Sequence, residues 1–95
     1  MVHMILAKFR DRSLLTPGLT EEIRTLFSGA EAIEGVEGAS VSRCCVDRDN
    51  RYDLLIRVYM QKDALPRWDE SAVHAEWKKK YGEMLEKKAI FDEEE

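Results

Sequence analysis

Val2–Phe9 alternates with a period of two: His3, Ile5, Ala7 and Phe9 fall on one side, Val2, Met4 and Leu6 on the other. That period predicts a β-strand, here with apolar residues on both faces. The charged turn Arg10–Ser13 ends it, and a loop through Thr16, Pro17 and Gly18 leads to Thr20, the expected N-cap of a helix. Glu21 and Glu22 would then sit in the first turn, where negative charge suits the helix dipole. Ile23, Leu26, Phe27, Ala30 and Ile33 recur at three and four residues, one apolar stripe of that helix, which Gly35 ends. Val36–Val46 predicts a second strand, weakened by Gly38 and two serines. After the charged turn Asp47–Arg51, Tyr52, Leu54, Ile56, Val58 and Met60 alternate again, predicting a third strand that pairs with the second as a hairpin. Asp63 is placed to cap a short helix through Leu65 and Trp68, with Pro66 tolerated in its first turn. Ser71 is placed to cap a longer one, on which Val73, His74, Trp77, Tyr81, Met84 and Leu85 share a face. Lys88–Asp92 closes as a fourth strand.

The order β-α-β-β-α-β predicts a single α+β domain over 1–95, of the ferredoxin-like kind: an antiparallel sheet with helices on one face. Helices cover only one side of such a sheet. The other side keeps Val2, Met4 and Leu6, with Leu55 and Tyr59 from the third strand. An apolar face of that kind is an interaction surface unless loops and the acidic tail fold over it. Two copies packed face to face would close a dimeric α+β barrel with the helices outside, so a homodimer is expected.

Ninety-five residues form one core, and so small a chain buries only about two-thirds of the surface it exposes unfolded, which favours association. The composition, 44% hydrophobic and 36% charged, predicts a folded chain, with disorder expected only in the acidic end Asp92–Glu95. The net charge of −4 and the lack of a basic stripe speak against nucleic acid and anionic membranes as partners. Lys78–Lys80 is flanked by Glu76, Glu83 and Glu86 and is expected to be a solvated helix face. The apolar start is too short to span a bilayer and does not resemble a signal peptide. Cys44 and Cys45, adjacent on a predicted strand, would point to opposite faces, and Cys45 is expected to pack. A reducing compartment, most simply the cytoplasm, fits them. No spacing of histidine, cysteine and carboxylate predicts a metal site, and no cofactor is expected.

Several segments resemble the stress-responsive dimeric α/β-barrel (Dabb) family: Val2-His3-Met4-Ile5-Leu6-Ala7-Lys8-Phe9, Gly35-Val36, Tyr52-Asp53-Leu54, His74 at the start of the last helix, and Ala89-Ile90-Phe91-Asp92. The resemblance spans nearly the whole chain. It implies a ferredoxin-like protomer, a homodimeric barrel, and a cavity between the sheet and the helices. In the plant polyketide cyclase of this family that makes olivetolic acid, catalysis is assigned to a last-helix histidine and a tyrosine six residues earlier. A first-strand histidine also lies in its pocket. Those positions correspond here to His74, Trp68 and His3. Tryptophan in place of tyrosine can donate a hydrogen bond but cannot act as acid and base. The family's His-Pro-x-His reads Ser71-Ala72-Val73-His74, keeping the second histidine alone.

His3 and His74, the two histidines of the chain, are both expected on the face that the helices cover. Imidazole suits proton transfer near neutral pH, so His74 is the candidate base and His3 the candidate orienting or protonating group. The competing reading is a pair of hydrogen-bonded core histidines. Ile5, Ile23, Phe27, Ile56, Val58, Trp68, Trp77, Leu85 and Ile90 would line a small apolar ligand's pocket, or simply form core. Asp92 is a candidate hydrogen-bond partner for a pocket group or a frayed terminal residue. Three functions stand open: a metabolite-binding barrel with histidine-assisted proton transfer, a non-catalytic stress or assembly protein, and a cofactor-free quinol-type monooxygenase.

Overall fold

The computed structural model describes residues 1–94. Four strands form one antiparallel sheet in the order β2-β3-β1-β4: β1 is Val2–Phe9, β2 Val36–Arg43, β3 Leu54–Met60 and β4 Leu85–Glu93. Three helices, α1 (Pro17–Ser28), α2 (Leu65–Asp69) and α3 (Ala72–Tyr81), join them in the ferredoxin-like succession expected.

Local chemistry moves several boundaries. Helix α1 starts before Thr20, because Thr16 is the true N-cap: its Oγ1 accepts from Leu19 N at 3.1 Å, and Pro17 supplies a preset φ at the first helical position. Thr20 is instead buried, its hydroxyl donating to the Thr16 carbonyl. A 3₁₀ turn over Gly29–Ala32 then carries the chain to Gly35, whose φ of +89° is open to glycine at little cost. Ser71 caps α3 as the pattern predicted, accepting from His74 N at 3.1 Å.

Strand β2 stops at Arg43, so Cys44 and Cys45 are not strand residues on opposite faces; both are exposed free thiols, and Cys45 does not pack. The chain leaves the ladder there for a loop held by Arg12, whose guanidinium donates to Asp47 Oδ1 and the Arg48 carbonyl, each at 2.7 Å. Asp53, buried at the start of β3, accepts from Phe9 N at 2.8 Å and pairs with Arg12 Nε at 3.0 Å. At the other end, β4 is longer than predicted, because β1 offers its whole length as a template: Val2 pairs with Glu93 and Phe9 with Leu85. Asp92 and Glu93 therefore belong to the sheet rather than to a frayed tail, while Glu95 lies outside the described residues.

On the inner face, Ile5, Ala7, Phe9, Leu54, Ile56 and Val58 pack beneath Ile23 and Phe27 of α1 and beneath Trp68, Trp77 and Tyr81. Burial of three such aromatic side chains, each removing about 150–250 Å² from water, dominates what holds helices to sheet. Tyr81 adds a polar lock, its hydroxyl donating to Glu22 Oε1 on α1 at 2.6 Å. The outer face stays open. Met4, Leu6, Leu55 and Tyr59 are only half-buried there and Phe91 is 61% exposed, so the described loops and tail leave most of it uncovered; Val2, expected on the same open face, is instead buried at the end of its strand.

Candidate functional site

Strand alternation turns His3 inward, and the register sets it beside Asp92 of β4 on one side and Val58 of β3 on the other. His3 is 6% exposed, and its Nδ1 lies 2.5 Å from Asp92 Oδ1. The carboxylate is 39% exposed at its own end, so the pair runs from the core to the sheet edge. The ring of Trp68, fully buried on α2, lies 6.0 Å from that of His3 between centroids. The ring of His74, half-buried in the first turn of α3, lies 5.2 Å from that of Trp68. The helix cap at Ser71 fixes where α3 begins, and so where His74 sits. Trp68 thus makes ring contacts with both histidines.

Hydrogen-bond chemistry assigns the tautomer of His74. His74 Nδ1 is 2.9 Å from the carbonyl oxygen of Asp69. A carbonyl only accepts, so that nitrogen carries the proton, and neutral imidazole then keeps its lone pair on Nε2. His3 Nδ1 is hydrogen-bonded likewise to a carboxylate oxygen, that of Asp92. The Trp68 indole N–H is buried with no acceptor among the described residues, a group that normally finds one.

The residues predicted to line a pocket are brought together on this side of the sheet. Ile5, Ile23, Phe27, Ile56, Val58 and Trp77 are fully buried, and Leu85 nearly so. Phe27 stacks at 5.8 Å from Trp68 and meets Trp77 edge-on at 5.3 Å. Ile90 pairs with Ile5 and shares its face, but is 50% exposed because the helices do not reach over edge strand β4. Grooves open elsewhere: one of ≈ 360 Å³ by Leu6, Leu55 and Tyr52, and one of ≈ 340 Å³ by Arg12, Cys44 and Cys45. Among the described residues no group of three or more histidines, cysteines and carboxylates is placed to hold a metal ion. No described helix is long and apolar enough to cross a membrane.

The shifted ionisations lie away from the histidines. The Glu22 carboxyl is held below its usual range by hydrogen bonds, first from Lys80 and then from Tyr81. Burial, followed by the hydrogen bond to Glu22, pushes the Tyr81 phenol well above its ordinary value. These groups join α1 to α3. Sequence patterning left open that Asp92 partners His3. The residue type was suggestive, but the pairing rests on a strand register that nothing local specifies.

No protein-family model and no curated protein matches the sequence. Solved structures do match the fold. A protein of Arabidopsis thaliana superposes with a TM-score of 0.76 at 20% identity, over 99% of this chain and 93% of its own. A dimeric ferredoxin-like protein of unknown function from Thermobifida fusca gives 0.74 at 17%, over 95% and 85%. A Dabb family protein with a ferredoxin-like fold from Mesorhizobium loti gives 0.65 at 16%, over 99% and 94%. The α+β ferredoxin-like architecture read from the sequence is thus the one found in that Dabb protein.

Proposed function

We propose that the chain works as a homodimeric α+β barrel, joined through the face of Met4, Leu6, Leu55 and Tyr59. Each protomer would bind a small aromatic or polyketide-like ligand against Trp68, His3 and His74. The observation carrying this reading is that both histidines are hydrogen-bonded through Nδ1 and contact one indole ring whose N–H has no acceptor among the described residues. A planar ligand with a phenolic or enolic oxygen supplies what that donor lacks. His74 Nε2, the more accessible of the two, would take a proton from a phenol or from carbon next to a carbonyl. His3, steadied by Asp92, would orient the ligand or return the proton. Ile90, exposed on the adjoining strand, would form the rim of the opening. The dimeric assembly draws support from the fold-mates described as dimers. In titrations with phenolic and β-keto compounds, His74→Ala should weaken binding and remove any turnover. Unchanged binding and turnover would reject the role of His74. The close packing of Phe27, Trp68 and Trp77 favours a second reading, a non-catalytic dimer with a solid interior. Failure of the wild type to bind any such compound would select it.

A further inference from the structure

Cys44 and Cys45 take no part in the histidine site, and the way the chain leaves β2 sets them together. In an extended strand two adjacent side chains point to opposite faces. Here β2 stops at Arg43 and the backbone bends at Cys45. Both cysteines consequently border one groove of ≈ 340 Å³, with Arg12, Arg43, Asp47 and Asp53 around it. Cys44 N donates to the Asp53 carbonyl at 2.9 Å, which anchors the start of the bend. The Cys44 thiol donates to the Val46 carbonyl at 3.4 Å, so its sulfur turns along the chain toward the residue beyond Cys45. Both thiols are free and exposed.

The rest of the groove decides what two thiols can hold. Its carboxylates are already engaged: Arg12 pairs with Asp47 at 2.7 Å and with Asp53 at 3.0 Å. Structural zinc takes four ligands, and no group of three or more is placed for a metal among the described residues. Two thiolates alone suit a soft cation content with two ligands, and thiolate softness selects copper in its +1 state. A copper(I) ion between two thiolates carries one net negative charge. Arg43, whose guanidinium makes no ion pair among the described residues, borders the same groove and can face that charge.

The geometry points to a copper(I) site at Cys44 and Cys45, closed by both sulfurs and faced by Arg43. Binding forms two Cu–S bonds, releases one proton from each thiol and leaves copper in its +1 state. The site is separate from the ligand pocket at Trp68 and does not need the dimer. The test titrates the fully reduced protein with copper(I) in the absence of oxygen, against bicinchoninate as competing chelator. One copper should bind per chain, with a thiolate-to-copper charge-transfer band in the ultraviolet and two sulfur neighbours by X-ray absorption. Cys44→Ser and Cys45→Ser, both exposed changes that should leave the circular dichroism spectrum intact, should each weaken binding by about a hundredfold or more. Arg43→Gln should weaken it by about tenfold with the sulfur count unchanged. Binding as tight in either serine variant as in the wild type, or none in competition with bicinchoninate, would overturn the site. One copper per two chains would place the metal between molecules and overturn it too. An unchanged affinity in Arg43→Gln would strike Arg43 from it.

Discussion

Replacing Asp92 by asparagine tests the site at its most defined point. The wild-type bond is 2.5 Å long and joins a 6%-exposed histidine to a carboxylate. A hydrogen bond to a charged group contributes about 1.5–3 kcal/mol, against about 1 kcal/mol for a neutral one. Because Asp92 is 39% exposed, solvent screens the charged bond toward its lower end. Asp92→Asn should therefore cost about 0.5 kcal/mol, lowering Tm by about 2–4 °C for a domain of this size. Melts should be compared at one protein concentration, since an associating chain melts in a concentration-dependent way. The chemical consequence is separable from stability. The amide oxygen can keep the proton on Nδ1, but a flipped amide donates instead and moves that proton to Nε2. Imidazole ¹⁵N shifts should show His3 as the Nδ1–H tautomer in the wild type and as a mixture in the variant. Amides of Phe91–Glu93 should also exchange faster, because the bond ties the last turns of the β1–β4 ladder. An Nε2–H tautomer in the wild type, or a variant as stable as its parent with unchanged ring signals, would refute the reasoning.

Gly35→Ala should destabilise by about 2–4 kcal/mol in urea unfolding, combining about 1–2 kcal/mol for the left-handed backbone with crowding: its Cβ would stand 2.8 Å from Ala64 Cβ and 3.0 Å from Arg67 Nη2. Gly82→Ala, with nothing within 4 Å, is the control and should change little. Glu22→Gln should flatten the acid limb of the stability curve. The folded carboxyl sits below 4.5, so its contribution is complete above that pH and fades as pH falls through the lowered value. Urea midpoints at pH 7 and pH 3 should differ more in the wild type than in the variant, and equal differences would discount the Lys80–Glu22–Tyr81 lock.

Much of the architecture was legible because it is written in short-range periodicity. The period of two in Val2–Phe9 fixes that His3 and Ile5 share a face, whatever the rest of the chain does. The period of three and four after Thr20 marks the buried side of α1, even though the helix begins earlier at Thr16. Boundaries were less legible, since a cap or a strand end depends on which polar group wins a given backbone partner. Thr16 outcompeted Thr20, and the Arg12-held loop drew Cys44 and Cys45 out of the sheet.

The sequence by itself determined an antiparallel ferredoxin-like sheet, apolar on both faces, and placed both histidines on the side that the helices cover. Only the tertiary structure decided that Asp92 meets His3, that Trp68 contacts both histidines, and that Ile90 lies beyond helical cover. The division has one physical origin. Which way a side chain points is set within two or three residues by backbone geometry. Which side chain it meets is set by strand register and helix docking, which join residues such as His3 and Asp92 across nearly the whole chain and are fixed when the core closes.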